Sequence, residues 1–215
     1  FEKYNDNQLF FGCNRGIGIL DIDEQRVTIH DDWVKAEAKS FYYCTKLQRL
    51  WVGSNGSGFF IIDPKQPEDV IKIKNSDGLI VSDIEAAKGD QEMLIGVDGT
   101  GVYACPVSSD KTSQLRLLAS DSDAPYQIKA AGVRDILVDD GHIWIATFRG
   151  GVTHLKPEST LTTLNLANAK TPSDNYAFGG DVGLDGRYWA AFNHVIASFA
   201  PDGSDARQEL VVNEA

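Results

Sequence analysis

An all-β fold of four-stranded sheets arranged radially, a β-propeller, is what this sequence predicts, on three observations. A short hydrophobic phrase returns five times. Each copy is followed by a polar, mostly glycine-bearing turn and a second apolar run. Successive copies lie 41, 43, 50 and 45 residues apart. A period near 40–50 residues built on strand-like units marks propeller blades.

The phrase reads LFFG at Leu9–Gly12, LWVG at Leu50–Gly53, MLIG at Met93–Gly96, IWIA at Ile143–Ala146 and YWAA at Tyr188–Ala191. Its second residue, Phe10, Trp51, Leu94, Trp144 or Trp189, is the anchor of each blade, and large flat side chains there are expected to pack between blades. These runs form the second strand of each blade. The turns that follow carry Asn14-Arg15-Gly16, Asn55-Gly56, Asp98-Gly99, Phe148-Arg149-Gly150 and Asn193-His194. Asn-Gly and Asp-Gly supply the positive φ angles of tight hairpins.

A third strand is predicted at Ile17–Ile22, Gly58–Ile62, Gly101–Ala104, Gly151–Leu155 and Val195–Phe199. In the last four blades it ends at Pro64, Pro106, Pro157 and Pro201, where a missing N–H costs no ladder bond. A more polar outer strand follows at Arg26–His30, Val70–Lys74, Gln114–Leu118, Thr160–Leu166 and Arg207–Val212. The inner strands precede the anchors: residues 1–4, Ser40–Thr45, Val81–Ala86, Val133–Val138 and Ala177–Leu184. The blades are then 1–37, 38–78, 79–130, 131–174 and 175–215, within one propeller domain or segment. No stretch has helical period at helix length, Ser159–Asn175 included. With no strand left over to clasp the termini, the chain is expected to be a piece of a longer array rather than a closed five-bladed ring, and its end blades to self-associate.

Composition limits the partners. A net charge of −11 argues against nucleic acid, which needs a basic surface. The acid sits in turns such as Asp121-Ser122-Asp123 and Asp139-Asp140, and no apolar run is long enough to span a membrane. Any signal peptide is expected upstream of Phe1. Cys13, Cys44 and Cys105 form no C-x-x-C pair and read as small buried hydrophobes. The histidines, His30, His142, His154 and His194, are dispersed without metal-ligand spacing, so no metal and no cofactor is expected.

No nucleophile elbow or phosphate loop is present. Gly53-Ser54-Asn55-Gly56-Ser57-Gly58 imitates a nucleotide loop in composition, but it lies between strands with no helix to follow. Inner strands bring Asp83, Glu85, Arg134, Asp135 and Asp181 near the channel. The three aspartates are at near-equivalent places, which keeps a propeller lyase or lactonase open as an alternative, against bonds to backbone amides.

The turns after the anchor strands should emerge on one face, beside the connections between blades. Asn55 and Asp98 fit turn chemistry alone. Phe148 and Arg149 do not, since neither is a turn former, and they are expected to centre a recognition surface with Asn14, Arg15, Asn193 and His194. An aromatic ring, two guanidiniums and amides suit a polar ligand with stackable faces, such as a sugar or an anionic oligosaccharide.

LWVGSNGSGFFIIDP (Leu50–Pro64) and IWIATFRGGVTHLKP (Ile143–Pro157) resemble two-component regulator propeller repeats, with MLIGVDGTGVYACP more loosely so. The first blade departs from the pattern with Phe10-Phe11 for the Trp, and the fifth with Asn193-His194 for the paired glycines. The resemblance implies an extracytoplasmic or periplasmic sensor region of a bacterial hybrid histidine kinase, binding carbohydrate or another nutrient signal. With no recognisable catalytic motif in this segment, no enzymatic activity is expected of it. A propeller scaffold for protein–protein contact is the alternative.

Overall fold

The computed structural model describes residues 1–89, 91–108, 110–122, 124–155, 161–164 and 175–211, the side chains of 161–164 excepted. Pro157, Asp123, Val212 and most of Ser159–Asn175 lie outside the described residues. The chain divides into two compact units, Phe1–Ile95 with Ala104–Arg116, and Gly96–Tyr103 with Leu117–Ala215.

The first unit holds two four-stranded sheets. One is built in order from β1 (Glu2–Lys3), β2 (Gln8–Gly12), β3 (Ile17–Asp21) and β4 (Arg26–His30). The other is β5 (Ala38–Cys44), β6 (Arg49–Ser54), β7 (Phe59–Asp63) and β8 (Gln66–Lys72). All their pairings are antiparallel. A third sheet runs β9 (Val81–Ala87), β10 (Glu92–Val97), β11 (Gly101–Pro106), β12 (Arg116–Ser120) and β13 (Tyr126–Gln127). The second unit holds β14 (Val133–Asp139), β15 (His142–Thr147), β16 (Gly151–Leu155) and β17 (Leu161–Leu164), then β18 (Ala177–Val182), β19 (Tyr188–Phe192), β20 (Val195–Phe199) and β21 (Ala206–Val211). No α-helix occurs among the described residues. The fold is the all-β, blade-by-blade architecture that the repeat predicts.

Four departures have physical reasons. The third sheet gains a fifth strand, because β13 pairs parallel to β12 through Ala119–Tyr126 and Ser120–Gln127. The outer strand of the second sheet starts at Gln66, before Pro67. It is an edge, so the missing proline N–H interrupts no ladder. The outer strand of the third sheet is shifted to Arg116–Ser120, where the Ser120 hydroxyl donates to the Thr100 carbonyl at 2.9 Å. The last inner strand stops at Val182, since Gly183 and Arg187 close the turn with a 2.9 Å backbone bond. Leu184 is therefore at an exposed tip, outside the strand.

Sheets pack face to face within each unit: β5 against β2 and β9, and β14 and β15 against β18. Alternation along a strand sends successive side chains to opposite faces, so a blade with neighbours on both sides buries both. Leu50, Trp51 and Val52 are each fully buried. Leu50 and Val52 join Phe10, Ile17, Trp33 and Phe41 in one core. Trp144, Val152, Tyr188, Phe192 and Phe199 form another. Burying each such side chain contributes about 1.5–3 kcal/mol. Trp189 is the exception among the tryptophan anchors. Tyr188 takes the buried place, and Trp189, on the opposite face, is half-buried and donates Nε1–H to Asp185 at 3.2 Å.

Candidate ligand site

The residues that gather around Phe148 are delivered by three irregularities of the second unit. The first is a bulge in the inner strand. The register of β14 on β15 shifts between Val133 and Asp135, leaving Arg134 as the extra residue. Bulges re-aim side chains, and Arg134 reaches the Phe148 ring, 5.0 Å from its centroid, and the Asp98 carboxylate at 2.9 Å. Equivalent shifts occur at Ala38/Ser40 in β5 and Ala177/Gly179 in β18.

The second irregularity is the turn from β15 to β16. Thr147 donates from Oγ1 to the Gly151 carbonyl, and the Phe148 amide donates to Gly132 at 2.7 Å. Between them Arg149 takes a φ of +75°, a left-handed conformation that costs a branched or long side chain about 1–2 kcal/mol. Gln25, Gln48, Asn75, Lys88 and Asp140 share this left-handed conformation, so at Arg149 it fixes the aim of the side chain and does not by itself mark a site.

The third is the connection into β18, which carries Tyr176. Its ring lies 4.2 Å from that of Phe148, and its hydroxyl accepts the Arg149 Nε–H at 2.9 Å. The Arg149 guanidinium stands 5.2 Å from the Phe148 centroid and 5.7 Å from that of Tyr176. Two aromatic rings thus carry two guanidiniums. Arg134 is neutralised by Asp98, while Arg149 forms no ion pair among the described residues. Its Nη edge remains available for a planar anionic or polar group.

The predicted centre, Phe148 with Arg149, is brought together. Phe148 is half-buried rather than fully exposed, because Tyr176 and Arg134 pack on it. Asn193 and His194 bond to each other at 2.9 Å, at the β19–β20 turn. Asn14 and Arg15 are exposed turn residues of the first unit. Asn55 bonds to Glu37 at 2.7 Å and Asp98 to Arg134, as turn residues in structural contacts. Sequence reasoning missed Tyr176 and the part of Arg134 in this cluster. The bulge that turns Arg134 outward leaves no trace in the hydrophobic pattern.

Two of the inner-strand aspartates, Asp135 and Asp181, are engaged by backbone. Asp135 accepts from the Gly180 amide at 2.9 Å and Asp181 from the Val182 amide at 2.7 Å. Burial, with the Asp181 charge adding to it, raises the Asp135 carboxyl above its ordinary range despite the Gly180 bond. His142 and His154, dispersed in sequence, meet across β15 and β16 at 2.8 Å, one ring nitrogen donating to the other. Cys13, Cys44 and Cys105 form no disulfide among the described residues. Among the described residues, no group of three or more side chains has the makings of a metal site.

No family model matches this chain, and no curated protein matches it. Among solved structures, the extracellular domain of a hybrid two component system from B. thetaiotaomicron is similar over 96% of this chain and 27% of its own, with TM-score 0.76 and 20% identity. The extracellular domain of a one component system from the same organism is similar over 100% of this chain and 31% of its own, with TM-score 0.74 and 13% identity. The β-propeller domain of Cps50 (Swd1) from Myceliophteria thermophila is similar over 97% of this chain and 69% of its own, with TM-score 0.64 and 11% identity. This chain spans about a third or less of the first two. At these identities the likeness concerns the fold, and the fold is a β-propeller.

Proposed function

We propose that this propeller is the ligand-sensing module of a bacterial membrane-anchored two-component signalling protein. It would face the periplasm or the cell exterior and bind a small polar ligand, a carbohydrate by preference. The observation that carries the reading is Arg149. Its left-handed backbone, its Tyr176-held Nε and its Nη edge, without an ion-pair partner among the described residues, together make a rigid donor pair beside the Phe148 ring. Likeness to extracellular domains of signalling proteins supports the setting, and the repeat motifs support the family. No catalytic role is assigned here, since Asp135 is held on the Gly180 amide. The test is a thermal-shift screen of neutral oligosaccharides and uronate-bearing oligosaccharides. Any hit is followed by calorimetry on Phe148→Ala with Arg149→Ala. Unchanged affinity in the double variant would remove this turn from the site.

One observation favours a second role, contact with other protein. The outer strands expose apolar residues, Val27 and Ile29 on β4, Leu210 and Val211 on β21. Such edges favour association with a second copy or another propeller blade.

A further inference from the structure

The first unit carries a cleft of about 340 Å³ walled by Arg49, Asp69, Ile71, Asp110, Lys111 and Thr112. Clefts that hold small molecules begin at roughly this size. Strand parity explains the first wall. Ile71 is in register with Ile61, and Ile61 with Trp51. Arg49 lies two residues before Trp51 and so shares the face of Trp51, Ile61 and Ile71. Asp69 instead enters the cleft from the stretch of β8 where the register on β7 slips, between the Ile61–Ile71 and Asp63–Gln66 pairs. β7 runs between β6 and β8, which keeps the Arg49 and Asp69 backbones at least two strand spacings apart, roughly 9–10 Å or more. The facing wall is the turn at 110–112. Asp110 is a fixed part of it, accepting from the Thr112 amide at 2.7 Å and its hydroxyl at 2.6 Å. Those bonds hold its carboxyl below the ordinary range.

The other three charges are uncommitted. Arg49, half-buried, Lys111 and Asp69 form no ion pair and no side-chain hydrogen bond among the described residues, although opposite signs share the wall. An unpaired, partly desolvated guanidinium is costly unless something completes it. A simple anion would satisfy Arg49 and Lys111 but face Asp69, and a simple cation would meet the reverse conflict.

We propose that this cleft binds a small zwitterion, an amino acid with its carboxylate on Arg49 and Lys111 and its ammonium on Asp69. The strand spacing favours charges separated by several methylenes. This site is independent of the Phe148–Arg149 turn.

Calorimetry on the full chain with glycine, β-alanine, γ-aminobutyrate and 5-aminovalerate tests it, with butyrate and butylamine as single-charge controls. At least one amino acid should bind, and each control should bind about tenfold more weakly or worse, as expected when one charge-assisted contact is lost. Asp69→Asn and Arg49→Gln should each weaken binding about tenfold, with melting temperatures unchanged, and Arg49→Lys should retain part of it. Phe148→Ala with Arg149→Ala should leave it intact, which separates this site from the sensing surface. Absence of binding by all four amino acids, equal binding of butyrate, or full affinity in Asp69→Asn would each overturn the proposal.

Discussion

Trp144 lies flat against Tyr188, with ring centroids 4.6 Å apart and planes 11° from parallel. The two belong to neighbouring sheets, so this stack is the joint between them. His154 also stacks on the indole, at 4.0 Å, and His142 lies edge to edge with His154 through their 2.8 Å ring-nitrogen bond. The joint therefore groups three stacked rings, with His142 beside the last. It uses the anchor position of one blade and the residue before the anchor in the next, which strand alternation requires.

Trp144→Ala should lower the unfolding free energy by about 3–5 kcal/mol, the range for emptying a buried aromatic site. Trp189→Ala should cost far less, because that indole is half-buried and its Nε1–H is held at the exposed Asp185 turn. Urea unfolding midpoints of the two variants check the ordering. Equal losses would mean that Trp189 is as buried as Trp144.

Arg149 inverts the usual ranking of alanine over glycine. With φ at +75°, Arg149→Ala keeps the left-handed strain and loses the ring contacts. Arg149→Gly loses the contacts but sheds the strain, worth about 1 kcal/mol. The glycine variant should be the more stable of the two by thermal unfolding. A more stable alanine variant would show that the turn is not left-handed at this residue.

Asp135 has a pH signature of definite sign. Its carboxyl is raised above the ordinary 3.8 by burial and by Asp181. Well below 3.8 both states hold the proton, so ionisation of this group favours neither. As pH rises through that value the unfolded chain ionises first, and the native state loses stability until the raised native pKa is passed. Relative to Asp135→Asn, the unsubstituted protein should therefore become less stable over that window. Urea unfolding at a series of pH values would show it, and a difference that grows in the opposite sense would refute the assignment.

Association should run through the apolar outer strands. Val27→Thr with Ile29→Thr keeps strand propensity while removing methyl surface that is about half exposed. Light scattering should show species larger than a monomer, shifted towards monomer in the double variant. A strictly monomeric parent protein at high concentration would remove this second role.

The repeat by itself determined the number of blades, the strand order within them and most strand positions. Periodic apolar runs and glycine turns are local signals, and local signals survive in one dimension. The same alternation forecast that Trp51 and Trp144 would be buried. It failed at Trp189, because which face meets a neighbour depends on the packing of whole sheets. Phe148 and Arg149 were legible as misfits, since neither suits a turn. What completes them was not. Arg134 points at Phe148 only because a bulge adds one residue to β14, and Tyr176 arrives from the next sheet. His142 with His154, Asp135 with Gly180 and the charges around Arg49 likewise lie far apart in sequence and are joined by register. Register is fixed by the summed pairing of whole strands, so only the tertiary structure decides which side chains meet.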